Sequence, residues 1–265
     1  MTARILLLGL AFASALALPA IAADSKLAVA VASRTRAPEN TARDKYRHPE
    51  ASLKFWGVKP GQTLIEIAPS NGYWSEILAP YEKTTGGHYI AAEGREGLML
   101  PAKFADKSVY GDIAYTVFND RSGPLGPAGS ADLVLTARNI HDWLWSPGYA
   151  QKAMADFFAV LKPGGILAVE DHRADPRPQI GDAHDGYVAT ATIVNLAKKA
   201  GFVLEAKSEI NANPKDTKDH PFGVWTLPPT RQSSANGKPD PKFDHSKYDA
   251  IGESDRMTLR FRKPG

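Results

Sequence analysis

Residues 61–81, GQTLIEIAPSNGYWSEILAPY, pass from an unbroken apolar stretch through a short polar turn into a segment with helical apolar spacing. The pattern predicts a buried strand, a tight turn containing Gly72 and the first turns of a helix, with one carboxylate, Glu66, inside the strand. Such a connection leaves unpaired N–H groups at the helix start. They point into the crevice at the carboxyl end of a parallel sheet, where nucleotide-like ligands sit.

The rest of the chain repeats the alternation. Further strands are expected in GHYIAAEGRE (87–96, ending in Glu93), AYTVFND (114–120), ADLVLTA at the head of 131–143, ILAVEDHRA (166–174) and FVLEAKSEI (202–210). RMTLRFRKP (256–264) alternates apolar and polar residues and reads as an edge strand. Helices are expected in ENTARDKYR after Pro38, in EASLKFWG up to Gly57, in YAQKAMADFFAVLKPGG with a glycine stop, and in HDGYVATATIVNLAKKAGF up to Gly201. Strands alternating with helices imply a mostly parallel sheet covered on both faces.

The 265 residues, 43% of them apolar, suffice for one sizeable domain with extensions. Residues 1–23 carry Arg4, an apolar run, Pro19 and the small-x-small triplet Ala20-Ile21-Ala22, the form of a cleaved signal peptide. A mature start near Ala23 or Asp24 and export, to a periplasm, are therefore expected. The absence of cysteine excludes disulfides and thiolate chemistry. The formal charge of +3, or +2 without Arg4, shows no basic helix face, so nucleic acid is not an expected partner, nor is a membrane span in the mature chain. Residues 24–60 form an N-terminal helical segment whose Tyr46 or Arg47 faces the crevice, or whose charges are simply solvated. The domain proper is 61–265. Within it the polar, proline-rich stretch 211–255 is either a lid or a mobile insertion.

Two ligand classes compete for the 61–81 turn. A dinucleotide needs G-x-G-x-x-G, so that pyrophosphate approaches bare backbone, and no adjacent carboxylate. Here the turn offers Ala68, Ser70 and a single glycine, Gly72, and Glu66 would repel phosphate. S-adenosylmethionine has no phosphate and carries an ammonium, which an acidic residue favours. Glu93, about twenty residues on, suits the ribose of either ligand.

With LIEIAPSNGYWSEILAP go ARDKYRHPEASLKFWGVKPG, ADLVLTARNIHDW, FFAVLKPGGILAVEDH, AKKAGF and DRMTLRFRKP. Together these segments, between Arg36 and Pro264, resemble the class I S-adenosylmethionine-dependent methyltransferases, and among them a group of exported bacterial proteins. The resemblance implies an α/β, Rossmann-like methyltransferase fold: a three-layer sandwich around a mostly parallel seven-stranded sheet whose antiparallel last strand inserts beside the sixth. It implies S-adenosylmethionine as cofactor and a small-molecule acceptor. By position, Glu66, Pro69, Ser70, Asn71 and Gly72 would surround the methionine part, Glu93 the ribose, and Asn119 or Asp120 the adenine. Arg138 and Asn139 would lie beside the sulfonium. The class usually has glycine at positions 68 and 70. Asn71 is the turn residue that best tolerates a left-handed backbone.

Methyl transfer needs a base only when the nucleophile is protonated. Candidates at strand ends are His141, Asp142, Asp171 and His172, and at a helix start His184 and Asp185. The spacing of His141, His172 and His184 matches no familiar ligand pattern, so no metal is expected. Trp143 and Trp145 either stack on substrate or pack beneath a loop. A binding protein that kept the fold without the chemistry, and an NAD-dependent oxidoreductase, stay open as alternatives.

Overall fold

The computed structural model describes residues 25–176 and 183–265. The expected signal peptide lies outside these residues. Seven strands form one sheet: β1 (Thr63–Ile67), β2 (His88–Glu93), β3 (Ala114–Val117), β4 (Ala131–Ala137), β5 (Leu161–His172), β6 (Val203–Ser208) and β7 (Arg256–Arg262). Their order is β3-β2-β1-β4-β5-β7-β6. Strand β7 runs antiparallel to both neighbours, and the other pairings are parallel. The strand order reverses between β1 and β4, which fixes where a crevice opens at the carboxyl ends.

Alternating side chains divide the core into two layers. Ile65, Ile67 and Val134 face α7 (Ile140–Trp143), α8 (Tyr149–Val160) and α9 (Thr190–Lys199), where Trp143, Met154, Phe157 and Ile193 complete one cluster. Leu64, Leu133 and Leu135 face the other side. There they meet Leu27 of α1 (25–31), Trp56 of α4 (Pro49–Trp56), Ile77 of α5 (Ser75–Thr85) and Tyr110 of α6 (Lys107–Tyr110). Glu66 falls on this second face by the same alternation, which puts a carboxylate in an apolar layer. Two short helices, α2 (Pro38–Thr41) and α3 (Asp44–Arg47), precede α4, and α10 (Ser246–Ile251) precedes β7. Among the described residues no helix is long and apolar enough to cross a membrane.

Four local expectations change. Strand β7 is interior, because Arg256 pairs with Glu170 and Arg260 with Glu205; the edge is β6, whose Val203 is exposed. ENTARDKYR gives two single turns, since Ala42 and Arg43 lie between the helices and His48, left-handed at φ 40°, ends the second. Helix α8 stops at Val160 rather than at a glycine, because Leu161 is already extended and opens β5. The 184–202 helix begins only at Thr190; His184 and Asp185 sit in the preceding turn, where the Asp185 carbonyl accepts the Val224 N–H.

Candidate active site

The turn after β1 keeps a glycine-type backbone without most of the glycines. Ala68, Ser70 and Gly72 all lie in the left-handed region, at φ 48°, 56° and 80°. For Ala and Ser this costs about 1–2 kcal/mol each. Asn71, which would tolerate the left-handed conformation better than most residues, does not adopt it. At Gly72 a side chain would be strained, since a Cβ would stand 2.4 Å from Phe104 Cζ and force the ring to move.

Beneath the turn, Glu66 Oε2 accepts hydrogen bonds from Tyr89 (2.6 Å) and Ser75 (3.0 Å). Burial pushes its carboxyl up to about 7, against those two hydrogen bonds. Glu93, at the end of β2, is also buried, and burial raises its pKa. Its carboxylate accepts no hydrogen bond among the described residues. Asn119 and Asp120 lie apart from the cleft. The Asn119 side chain bonds the Gly94 carbonyl and the Arg121 N–H, closing a turn.

The ends of β4 and β5 supply the opposite wall. Asn139 bonds the Ile67 carbonyl at 2.9 Å and so ties β4 to β1. Asp171 accepts from His141 Nδ1 (2.8 Å), Ile140 N (2.8 Å) and His172 N (2.8 Å). His141 Nε2 faces Asp142 at 3.3 Å. Burial alone would lower the His141 pKa, but the charge and hydrogen bond of Asp171, with Asp142 behind, outweigh it and raise it. His172, 5.1 Å away ring to ring, is pushed the other way by burial and by His141 and the nearby arginines. Its Nδ1 meets Ser254 Oγ at 2.5 Å. Side-chain donors of His141, Asp171 and His172 come within 4.8 Å of one another. The Asp171 oxygens already accept N–H groups, so the trio is built as an anchored histidine pair more than as a cation cage.

One cleft joins the turn after β1 to the ends of β4 and β5; Asn71, Gly72 and Glu93 are not among its lining residues. Its lining includes Glu66, Ala68, Pro69, Ser70, Tyr73, Arg138, Asn139, His141, Asp142 and His172. Arg47 closes it from α3, and Glu253, Ser254 and Arg256 from the start of β7. Within 211–255, Val224, Trp225, Pro228, Pro229 and Thr230 cover it, and Asn211 and Asp216 tie the segment down through Glu170, Thr258 and Asp255. Of the residues expected at the site, Glu66, Pro69, Ser70, Arg138, Asn139, His141 and His172 converge here, with Asp171 directly behind. His184 does not: it lines a separate outer cleft with Trp145, Asp185, His220 and Phe222. Trp143 packs in the core against Phe118 and Phe157. Tyr46 turns away and packs on Gly252, whereas Arg47 faces the cleft. Arg256 and Glu253 went unnoticed in the sequence, because Arg256 alternates with apolar residues in the same way as Arg260 and Arg262 of the same strand.

No family model matches the chain. It is 24% identical over 143 residues to a ubiquinone/menaquinone biosynthesis C-methyltransferase of Hydrogenovibrio crunogenus, covering 51% of this chain and 52% of that protein. Its counterpart from Yersinia pestis is 27% identical over 138 residues, covering 49% and 51%. The chain thus spans about half the length of the curated relatives it matches. Among solved structures, an S-adenosylmethionine-dependent methyltransferase from Aquifex aeolicus superposes with TM-score 0.55 at 16% identity, covering 91% of this chain and 98% of that one. The [4+2]-cyclase SpnF superposes with TM-score 0.56 at 14% identity, covering 82% and 80%. With the sheet order and the antiparallel β7, these likenesses establish that the chain has the fold of the class I S-adenosylmethionine-dependent methyltransferases.

Proposed function

We propose that the chain is an S-adenosylmethionine-dependent methyltransferase whose small-molecule acceptor enters between the ends of β4 and β5 and the 211–255 cover. The observation that carries this reading is the turn after β1. Its backbone holds the left-handed conformation at all three positions where the class usually has glycine, although Ala68 and Ser70 are strained by it. Strain of this kind persists where the surrounding structure and a ligand require the shape. The sequence similarity to C-methyltransferases supports the same reading.

The residues present fit the cofactor. The unpartnered Glu93 carboxylate suits the two ribose hydroxyls, and Glu66 with the 68–72 backbone suits the amino-acid end. When bound, the cofactor supplies a methyl group activated by positive sulfur. The chain's own residues supply alignment and a base. His141 takes a proton from the acceptor at Nε2, and Asp171 fixes the ring so that Nδ1 keeps its hydrogen. Half-exposed Asp142, beside Nε2, offers that proton a way to water. His172, neutral and bonded to Ser254, shapes the wall. Export to a periplasm belongs to the same proposal, and N-terminal sequencing of protein recovered from cell fractions tests it.

Isothermal titration with S-adenosylmethionine, S-adenosylhomocysteine and NAD tests the function. Binding of the first two is expected. Binding of NAD alone, or of none, would remove this reading.

A further inference from the structure

Four guanidiniums meet two carboxylates at the wall of the cleft formed by β4, β5 and β7. Arg256, almost fully buried, bonds Glu170 at 2.9 Å through Nη1 and Glu253 through Nη2. Glu253 also accepts from Arg43 Nε at 2.5 Å and Arg47 Nε at 3.1 Å. These contacts use both carboxylates. Arg138 is left over: its guanidinium forms no hydrogen bond among the described residues, and its Nε is buried without a partner. Arg47 Nη2 is buried and unpartnered too, on a side chain with 1% exposure. Both arginines line the cleft.

A guanidinium held partly buried with no hydrogen-bond partner is costly, so its retention needs a reason. The backbone sharpens the point. Arg138 stands at φ 64°, held there by its N–H on the Glu170 carbonyl at 2.8 Å, in a conformation that a long side chain adopts only at a cost. Burial, with Arg43 and Arg256 close by, pushes its pKa down to about 10, although Glu253 and Glu170 oppose the shift. Glu66 offers little compensation while its carboxyl stays near neutral.

Position indicates what fills the gap. Arg138 follows β4, one strand or about 5 Å from β1, and the Arg47 guanidinium lies 4.3 Å from the Tyr73 ring, so the pair stands between the β1 turn and the β5–β7 side of the cleft. The rest of the cluster, Arg256 and Glu253, stands on the β5–β7 side away from β2, and the rings of Trp225 and His141, 5.9 Å apart and edge-on, line the same cleft. We propose that Arg138 and Arg47 form an oxyanion subsite that docks a carboxylate or phosphate group carried by the methyl acceptor. A guanidinium fork matches either group. The identity of the carrier rests on the methyltransferase reading; the anion site does not.

Calorimetric titration of the full chain at fixed ionic strength with benzoate and with inorganic phosphate, with and without saturating S-adenosylhomocysteine, tests this. At least one anion is expected to bind, and the stronger of the two identifies the group. Binding should weaken about tenfold or more in Arg138→Gln, recover in part in Arg138→Lys, and stay unchanged when the exposed Lys198 on α9 is changed to Gln. Because Arg138 has no side-chain partner to lose and is costly where it stands, the Arg138→Gln variant should unfold at or above the wild-type temperature. Anion binding that persists beside S-adenosylhomocysteine assigns the subsite to the acceptor. Strict competition assigns the arginines to the cofactor's own carboxylate and overturns the proposal, as does an absence of anion binding or an Arg138→Gln variant that binds like wild type. Failure of S-adenosylhomocysteine to bind would strike the methyltransferase reading alone, leaving the anion arm to be read by itself.

Discussion

His141 Nδ1 lies 2.8 Å from the Asp171 carboxylate, and that carboxylate is itself gripped by the N–H groups of Ile140 and His172. The chain folds back on one residue to aim one ring. The His141 pKa is raised, so the neutral, proton-accepting form grows as pH rises through the folded value, above the ordinary 6.5. The pH profile of kcat/KM should therefore climb on the alkaline side of 6.5. In Asp171→Asn, burial is opposed only by the smaller effect of Asp142 and the limb should move to lower pH, while the plateau falls about 100-fold or more. A variant with an unmoved limb would remove His141 from the proton transfer.

Much of this was legible in the sequence, and the reasons differ by residue. The strands β1, β2, β4 and β5 announce themselves because both faces of each are covered, which forces near-continuous apolar runs. His141, Asp171 and His172 stood out as polar residues just beyond such runs. Their pairing did not, because β4 and β5 become neighbours only through a parallel register that brings Ala137 opposite Glu170. Arg256 was hidden for a similar reason. Its partners Glu170 and Glu253 belong to a different strand and to the preceding loop, so the alternation of β7 looked like that of a solvated edge. The local role of Asn119, whose side chain closes the turn after β3, was not legible either, because its partners Gly94 and Arg121 meet only in the fold.

Glu66 should make stability pH-dependent. Its carboxyl is raised from 4.5 to about 7, so the stability tied to its neutral form is full below pH 4.5 and is lost as pH rises toward 7. The shift corresponds to about 3 kcal/mol. Glu82, raised by burial to about 8, adds to the same slope. Glu66→Gln should flatten the decline between pH 5 and 8 and leave the variant roughly 1–3 kcal/mol more stable than wild type at pH 8. Thermal unfolding at the two pH values decides it; parallel curves for both proteins would show that Glu66 is ionised throughout. The same titration should govern the ligand. An ammonium prefers the charged carboxylate, so S-adenosylmethionine affinity should rise from pH 6 to 8 in wild type and stay flat in Glu66→Gln.

The turn makes a prediction by relief of strain. Ala68→Gly with Ser70→Gly frees two left-handed residues but also loosens the unfolded chain, so the net change in stability should be under about 1 kcal/mol. With the turn unstrained and less crowded, cofactor affinity should hold or increase. Gly72→Ala should do the opposite, since the new Cβ meets the Phe104 ring and sits at φ 80°. A loss of about 1–3 kcal/mol is expected. Calorimetry of both variants checks the pair of statements. A double-glycine variant that binds more weakly would mean that the Ser70 side chain contacts the ligand.

Glu253 is the counter-ion on which the arginine wall depends. Burial opposes its ionisation, yet Arg256, Arg47 and Arg43 outweigh that and hold its pKa well below the usual carboxylate range. For a depressed acid, the stability is present above the unfolded value of 4.5 and is lost as pH falls through the folded one. Wild type should therefore lose stability as the medium is acidified below about pH 4.5. Glu253→Gln leaves three guanidiniums short of a charge in a site with 3% exposure, and breaking a buried pair from one side costs about 3–5 kcal/mol. Urea denaturation at pH 7 should show that loss, with the Glu253 part of the acid limb missing from the variant. A midpoint equal to that of wild type would mean that solvent, and not Glu253, balances these arginines. The cleft would then be wetter than its burial implies, and the case for a bound anion at Arg138 would weaken with it.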